Sequence, residues 1–152
     1  DIENAIVYKK KQLINKAIIK FDSMSPEKKK KVARLLGLPV TDDTKEEVVY
    51  NKVDNVLKQS EMKSGSFRGL NPVEVFTRFA DMQDNLLHIK DLVKQAIQHS
   101  IYRAKPNGRI FEGEYEIAKE EEDLIKFLAD EDNQEDLLLL ESKLKGKKLA
   151  SI

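Results

Sequence analysis

The chain has 152 residues, enough for one ordinary domain or two very small ones. With no Cys there is neither a disulfide framework nor a thiolate metal site, and 40% hydrophobic residues beside 36% charged ones predict a folded core under a highly charged surface. Net charge is zero but uneven: residues 1–109 carry 21 Lys/Arg against 14 Asp/Glu, residues 110–142 carry 2 against 13, and the last ten carry four Lys and no acid.

Such polarity suits two arrangements. The basic part can meet a polyanion, or the acidic end can fold against the basic end. No apolar run approaches the ~20 residues of a membrane span, and Lys9–Lys11 interrupt anything resembling a leader, so the expectation is a cytoplasmic protein with no membrane partner. The first residue is Asp1 rather than Met, as in a piece of a longer chain.

In chain order, Ile2, Ala5, Ile6, Leu13, Ala17 and Ile18 have helical spacing and predict a helix over 2–21. Ser25-Pro26-Glu27 is a helix start, with Ser25 as N-cap and Pro26 at the first position. That helix runs through Lys28–Lys31 to Leu36 and stops at Gly37 and Pro39. Thr44-Lys45-Glu46-Glu47 reads as a capping box opening the next helix, with Val48, Val49, Val53, Val56 and Leu57 inward. Residues 60–70, with two glycines, are the expected hinge between an N-terminal part, 1–59, and a larger unit, 71–152.

Asn71-Pro72 opens the longest expected helix, 72–99. Its seam Val75, Phe79, Met82, Leu86, Ile89, Val93 and Ala96 alternates steps of four and three, which suits a central core helix or a dimerisation helix. Asn107-Gly108 then predicts a two-residue hairpin near residues 101–113, with Arg103 facing Glu112. Residues 118–129 return to helix. After a break at 130–133 comes a last helix with Leu137–Leu140 and Leu144, fraying over 145–152. The fold class expected is mainly α, a helical bundle with one small β-hairpin.

Signals for catalysis are thin. His88 and His99 lie three helical turns apart, about 16 Å, and cannot share a metal. Asp81, Asp84, His88 and Asp91 form a polar stripe opposite the seam, where solvent is expected. Glu112, Glu114 and Glu116 alternate along an expected strand, the minimum for a metal-dependent nuclease, but no Asp or His completes the set. There is no nucleophile elbow and no phosphate-binding loop. The expectation is a protein without enzymatic activity, cofactor or metal.

Residues 26–58 hold the most specific pattern. Gly37-Leu38-Pro39 ends one helix, a short polar loop follows, and Thr44-Lys45 leads into a second amphipathic helix. This resembles the SAP-type helix–extended–helix module. The resemblance implies binding of nucleic acid, usually duplex DNA, through Lys28, Lys30, Lys31 and Arg34 on the first helix and Lys45 at the second. Arg103, Lys105 and Arg109 around the hairpin turn offer a second basic contact, as β-ribbons do. The leading expectation is therefore a nucleic-acid-associated accessory protein holding the phosphate backbone. The alternative is a protein-binding adaptor or structural subunit of a viral or other large assembly. It would bind a partner or itself through helix 72–99 or 133–145.

Overall fold

The structure, a computed structural model, describes residues 1–151. Among the described residues, seven α-helices and a small antiparallel sheet form two compact units, divided between Met82 and Gln83. The mainly helical fold with a small β element is as expected.

The first unit packs α1 (Ile2–Asp22), α2 (Pro26–Leu35), α3 (Glu46–Leu57) and α4 (Pro72–Ala80) around Phe21, Val32, Val49, Val53, Leu57, Val75 and Phe76. The Ser25 hydroxyl accepts from Lys28 N at 3.2 Å, as the cap signature predicts. At the other end Gly37 adopts φ +89°, and two bonds close the helix: Leu38 N donates to Ala33 O and Gly37 N to Arg34 O. That pair is the Schellman termination, which favours glycine because its left-handed residue penalises a Cβ.

The capping box does not form. Thr44 Oγ1 accepts from Thr41 N at 2.9 Å, closing the 41–44 turn, and α3 starts one residue later behind Lys45, with no side-chain cap. The expected hinge is held inside the first unit. Met62 N donates to Leu70 O, Gly69 N donates back to Met62 O, Met62 is buried, and the Phe67 ring meets Phe79 edge-on at 5.6 Å.

The expected helix 72–99 is two helices. Asn71 caps α4 through Val73 N and Glu74 N, but α4 ends at Ala80. Asp81 pairs with Lys20 of α1, Gln83 is extended, and α5 (Asp84–Gln98) begins with Asp84 in its favourable first turn. The apparent seam is thus two separate stripes, one in each unit. Val75 and Phe79 are buried in the first unit, while Ile89, Val93 and Ala96 enter the core of the second.

The second unit has β1 (Arg103–Ala104), β2 (Ile110–Glu112), β3 (Tyr115–Ala118), α6 (Glu121–Ala129), a 3₁₀ turn (Glu131–Asn133) and α7 (Gln134–Ala150). Its core joins α5 to Tyr102, Ile110, Leu124, Ile125, Leu128, Leu137, Leu140 and Leu144. The sheet is three-stranded in the order β1-β2-β3, one strand more than the expected hairpin. Its register also differs by one: Arg103 pairs with Phe111 and Ala104 with Ile110.

The cause of the shift is Pro106. A two-residue turn would need its missing N–H to close the hairpin. The chain instead uses a three-residue loop: Pro106 sits second in the turn, Gly108 N donates to Lys105 O, and Gly108 takes φ +87°. Residues 118–120 complete β3 and its exit, so α6 starts at Glu121 rather than 118. Helix α7 continues to Ala150, where fraying was expected from 145, and Ile152 lies outside the described residues.

Candidate interaction surfaces

Four consecutive lysines cannot share one face of a helix, and the structure sorts them. The Lys29 side chain is buried, bound to Glu46 at 2.6 Å with Asp22 at 3.6 Å and its ammonium 6.0 Å from the centre of the Phe21 ring. The hydrogen bond to Glu46 raises the Lys29 pKa above the usual lysine value, and the same bond lowers that of Glu46.

Arg34 is also buried, 5% exposed, with Nη1 3.4 Å from Asp42 Oδ1. Lys30 Nζ donates to the Asp42 carbonyl at 2.6 Å. Asp42 therefore gathers two of the cations expected to meet phosphate, and it fastens the α2–α3 loop to α2. Of the expected set in this unit, Lys28 and Lys31 are half-buried and Lys45 is exposed. Lys31 and Lys45 make no ion pair with any described residue.

The hairpin cations belong to the second unit and are engaged there. Arg103 donates to Gly113 O at 3.2 Å and lies 5.7 Å from the centre of the Phe111 ring, while Lys105 Nζ lies 4.1 Å from the same centre. Such cation–ring contacts contribute about 0.5–1 kcal/mol at exposed sites. Arg109 binds Glu116 at 2.5 Å. The expected surface of eight cations is thus divided between two units, and much of its charge meets an acid or carbonyl of its own unit.

The carboxylates are scattered as well. Gly113 turns the chain at φ +60°, so Glu112 and Glu116 lie on different strands rather than along one. Glu112 binds Lys143 at 2.7 Å, and Glu116 binds Arg109. No group of three His, Asp or Glu side chains among the described residues is placed to hold a metal.

The polar stripe on the expected long helix is solvated at Asp81 and Asp84, part-covered at His88 and buried at Asp91. Asp91 is 1% exposed and accepts from Gln95 Nε2 at 2.8 Å, because α5 packs against both α6 and α7 and so buries a wide arc. His88 meets Glu141 of α7 at 3.3 Å. Burial lowers the Lys94 pKa on the same helix, and nearby Glu121 opposes the shift.

Two apolar surfaces stand out, one on α1 and one that includes part of the expected docking helix 133–145. On α1, Ala17 and Phe21 enter the core, but residues 1–13 are all exposed. At 100° per residue, Ile2, Ile6 and Leu13 continue the Ala17–Phe21 stripe, Val7 lies on its edge, and Lys9, Lys11 and Lys16 flank it. Ile2 is 79% exposed, and Ile6 and Leu13 are each 50% exposed.

In the second unit, Ile117, Leu124, Phe127, Leu128, Leu139 and Leu140 line a half-open groove of about 270 Å³. Phe127, Leu139 and Ile117 show substantial apolar surface to solvent there. Glu112, Asp136, Lys143 and Tyr102 line it as well. Burial pushes the Tyr102 pKa up to about 12, with Glu112 and Asp136 adding to the shift. The four-leucine run marked this place without defining it: Leu137 and Leu140 are core, Leu139 faces the groove, and Leu138 is exposed elsewhere.

No helix among the described residues is long and apolar enough to cross a membrane. The chain matches no family model, no curated protein and no solved structure.

Proposed function

We propose that this chain is a non-enzymatic interaction protein that binds another protein through the exposed half of α1. One observation carries the reading: twelve helical residues, 2–13, contain no buried side chain yet present Ile2, Ile6, Val7, Tyr8 and Leu13. A helix of that length is marginal in water without tertiary support. A continuous apolar stripe edged with lysines suits an apolar, acid-rimmed partner surface.

The test compares the immobilised chain with an Ile6→Asp/Leu13→Asp variant. Both positions are half exposed, so the fold tolerates the change. Proteins retained by the parent are expected to bind the variant at least tenfold more weakly, as befits the loss of two apolar side chains at about 1.5–3 kcal/mol each. Identical retention by both forms overturns the reading.

A second reading keeps the SAP-like pair as a contact for duplex nucleic acid. It is favoured by the outward placement of Lys45 and the partial exposure of Lys31, neither of which is spent on an ion pair within the described residues. Labelled duplex DNA followed by fluorescence anisotropy tests it. A Lys31→Glu/Lys45→Glu variant is expected to bind more weakly and to reduce the salt slope by about 2, one for each lost phosphate contact. No binding by the parent chain at low salt removes this reading.

A further inference from the structure

We infer that the partner of α1 is a second copy of this chain, and that the Ile2–Ile6–Leu13 stripe of one copy seats in the α6–α7 groove of another. The inference rests on the protein-binding reading of α1 and names its partner.

Charge complementarity supports it. Residues 2–20, nearly all of α1, carry five lysines against one acid, Glu3. The segment 120–136, which builds α6, the 3₁₀ turn and the start of α7, carries nine acids against one lysine, Lys126. The units themselves differ in sign: residues 1–82 hold 16 Lys/Arg against 12 Asp/Glu, net +4, and residues 83–152 hold 11 against 15, net −4. Copies meeting through like units repel, while copies meeting through unlike units attract.

Shape agrees with charge. The stripe from Ile2 to Leu13 is about 16 Å long and α6 about 13 Å, so one helix can lie along the other. The groove volume is below the roughly 300–1,000 Å³ of small-molecule sites, but it accepts the tips of apolar side chains such as Ile6 and Leu13. Phe127 and Leu139 are the exposed apolar walls that such tips would cover. Asp136 lines the groove and would meet the lysines that flank the stripe, while Glu112 there is already paired with Lys143.

Each copy carries both the stripe and the groove, so the contact is heterologous: it joins unlike surfaces and extends to a ring or a chain of copies. A short helix on a groove lies at the small end of protein interfaces, below about 1,200 Å², among the transient contacts, and the expected affinity is in the micromolar range. The attraction is between partly exposed charges, so salt weakens it.

The experiment is sedimentation velocity over a concentration series at low and high salt. It uses the full chain, Ile6→Asp/Leu13→Asp, Phe127→Asp/Leu139→Asp, and an equimolar mixture of the two variants. All four altered positions are at least 47% exposed, and circular dichroism checks that each variant keeps its helix content. The full chain is expected to grow in mass with concentration, less so at high salt. Each variant alone stays a monomer of 17.5 kDa. The mixture forms a 1:1 dimer and stops there, because one variant retains the groove and the other retains the stripe.

A full chain that remains monomeric to about 1 mM at low salt overturns the inference, since no micromolar contact survives that result. So does a groove variant that still associates, which would assign the contact to α1–α1 pairing, and so does a mixture that fails to dimerise. Failure of the underlying reading looks different. If the full chain is monomeric but captures other proteins that Ile6→Asp/Leu13→Asp releases, α1 is a docking helix for a different partner. If neither occurs, both fall.

Discussion

Arg34→Glu is expected to unfold the first unit, while Lys31→Glu on the same helix is expected to leave it intact. Arg34 is buried against Asp42, and the substitution replaces an ion pair with two carboxylates at a site that excludes water from one of them. The Asp42 side chain is half exposed, so solvent screens part of the repulsion, but burying an unmatched carboxylate at position 34 still costs several kcal/mol, about 3 or more. For a unit of 82 residues this lowers the melting temperature by about 12 °C or more. Lys31 is part-exposed and holds no ion pair with a described residue, so its replacement stays within about 0.5 kcal/mol. Thermal melts of the two variants, followed by amide exchange over 26–57, decide the matter; equal stability would refute the burial of Arg34. The result also bears on nucleic-acid binding. A loss of affinity in any variant that changes Arg34 reports unfolding, and only Lys31 and Lys45 give a clean comparison.

Phe76→Ala is expected to be as costly, by a different route. The ring is fully buried between α1 and the rest of the first unit and meets Phe21 edge-on at 6.2 Å and 66°. Deleting it leaves a cavity, at about 3–5 kcal/mol. Phe127→Ala is the control: that ring is 47% exposed, so its loss is small. Amide exchange should show the Phe76→Ala damage spread over α1, α3 and α4, with β1–β3, α6 and α7 protected as before. Damage reaching the second unit equally would contradict the separation at Met82/Gln83.

Local signals in the sequence translated well into elements. Ser25-Pro26 and Asn71-Pro72 start helices and Gly37 ends one, because caps and left-handed residues depend on near neighbours alone. What failed was whatever depends on the neighbour across space. The seam from Val75 to Ala96 is continuous in periodicity, but periodicity cannot tell one core from two, and the turn at Asp81–Gln83 is held by Lys20 of a different helix. Asn107-Gly108 marked the hairpin correctly, yet Pro106 beside it set the loop length and with it the register.

The interaction surfaces were less legible than the fold. Counting lysines cannot reveal that Lys29 lies against Phe21 and Glu46 or that Arg34 is spent on Asp42, since the partners are 8–17 residues away. Equally, the spacing of Ile2, Ile6 and Leu13 matches that of a buried stripe. Only the packing distinguishes Ala17, which is covered, from Leu13 one turn earlier, which is not.

The boundary at Met82/Gln83 also governs the order in which the chain acquires structure. Both units are contiguous in sequence, so no contact within the first requires a residue beyond Met82. Small helical units fold in microseconds to milliseconds. Translation at about 5–20 residues per second takes roughly 4–14 s to add the remaining 70 residues. Residues 1–82 can therefore complete their core once they clear the ribosome, ahead of the second unit, and a nascent chain exposes its uncovered α1 before it owns a groove.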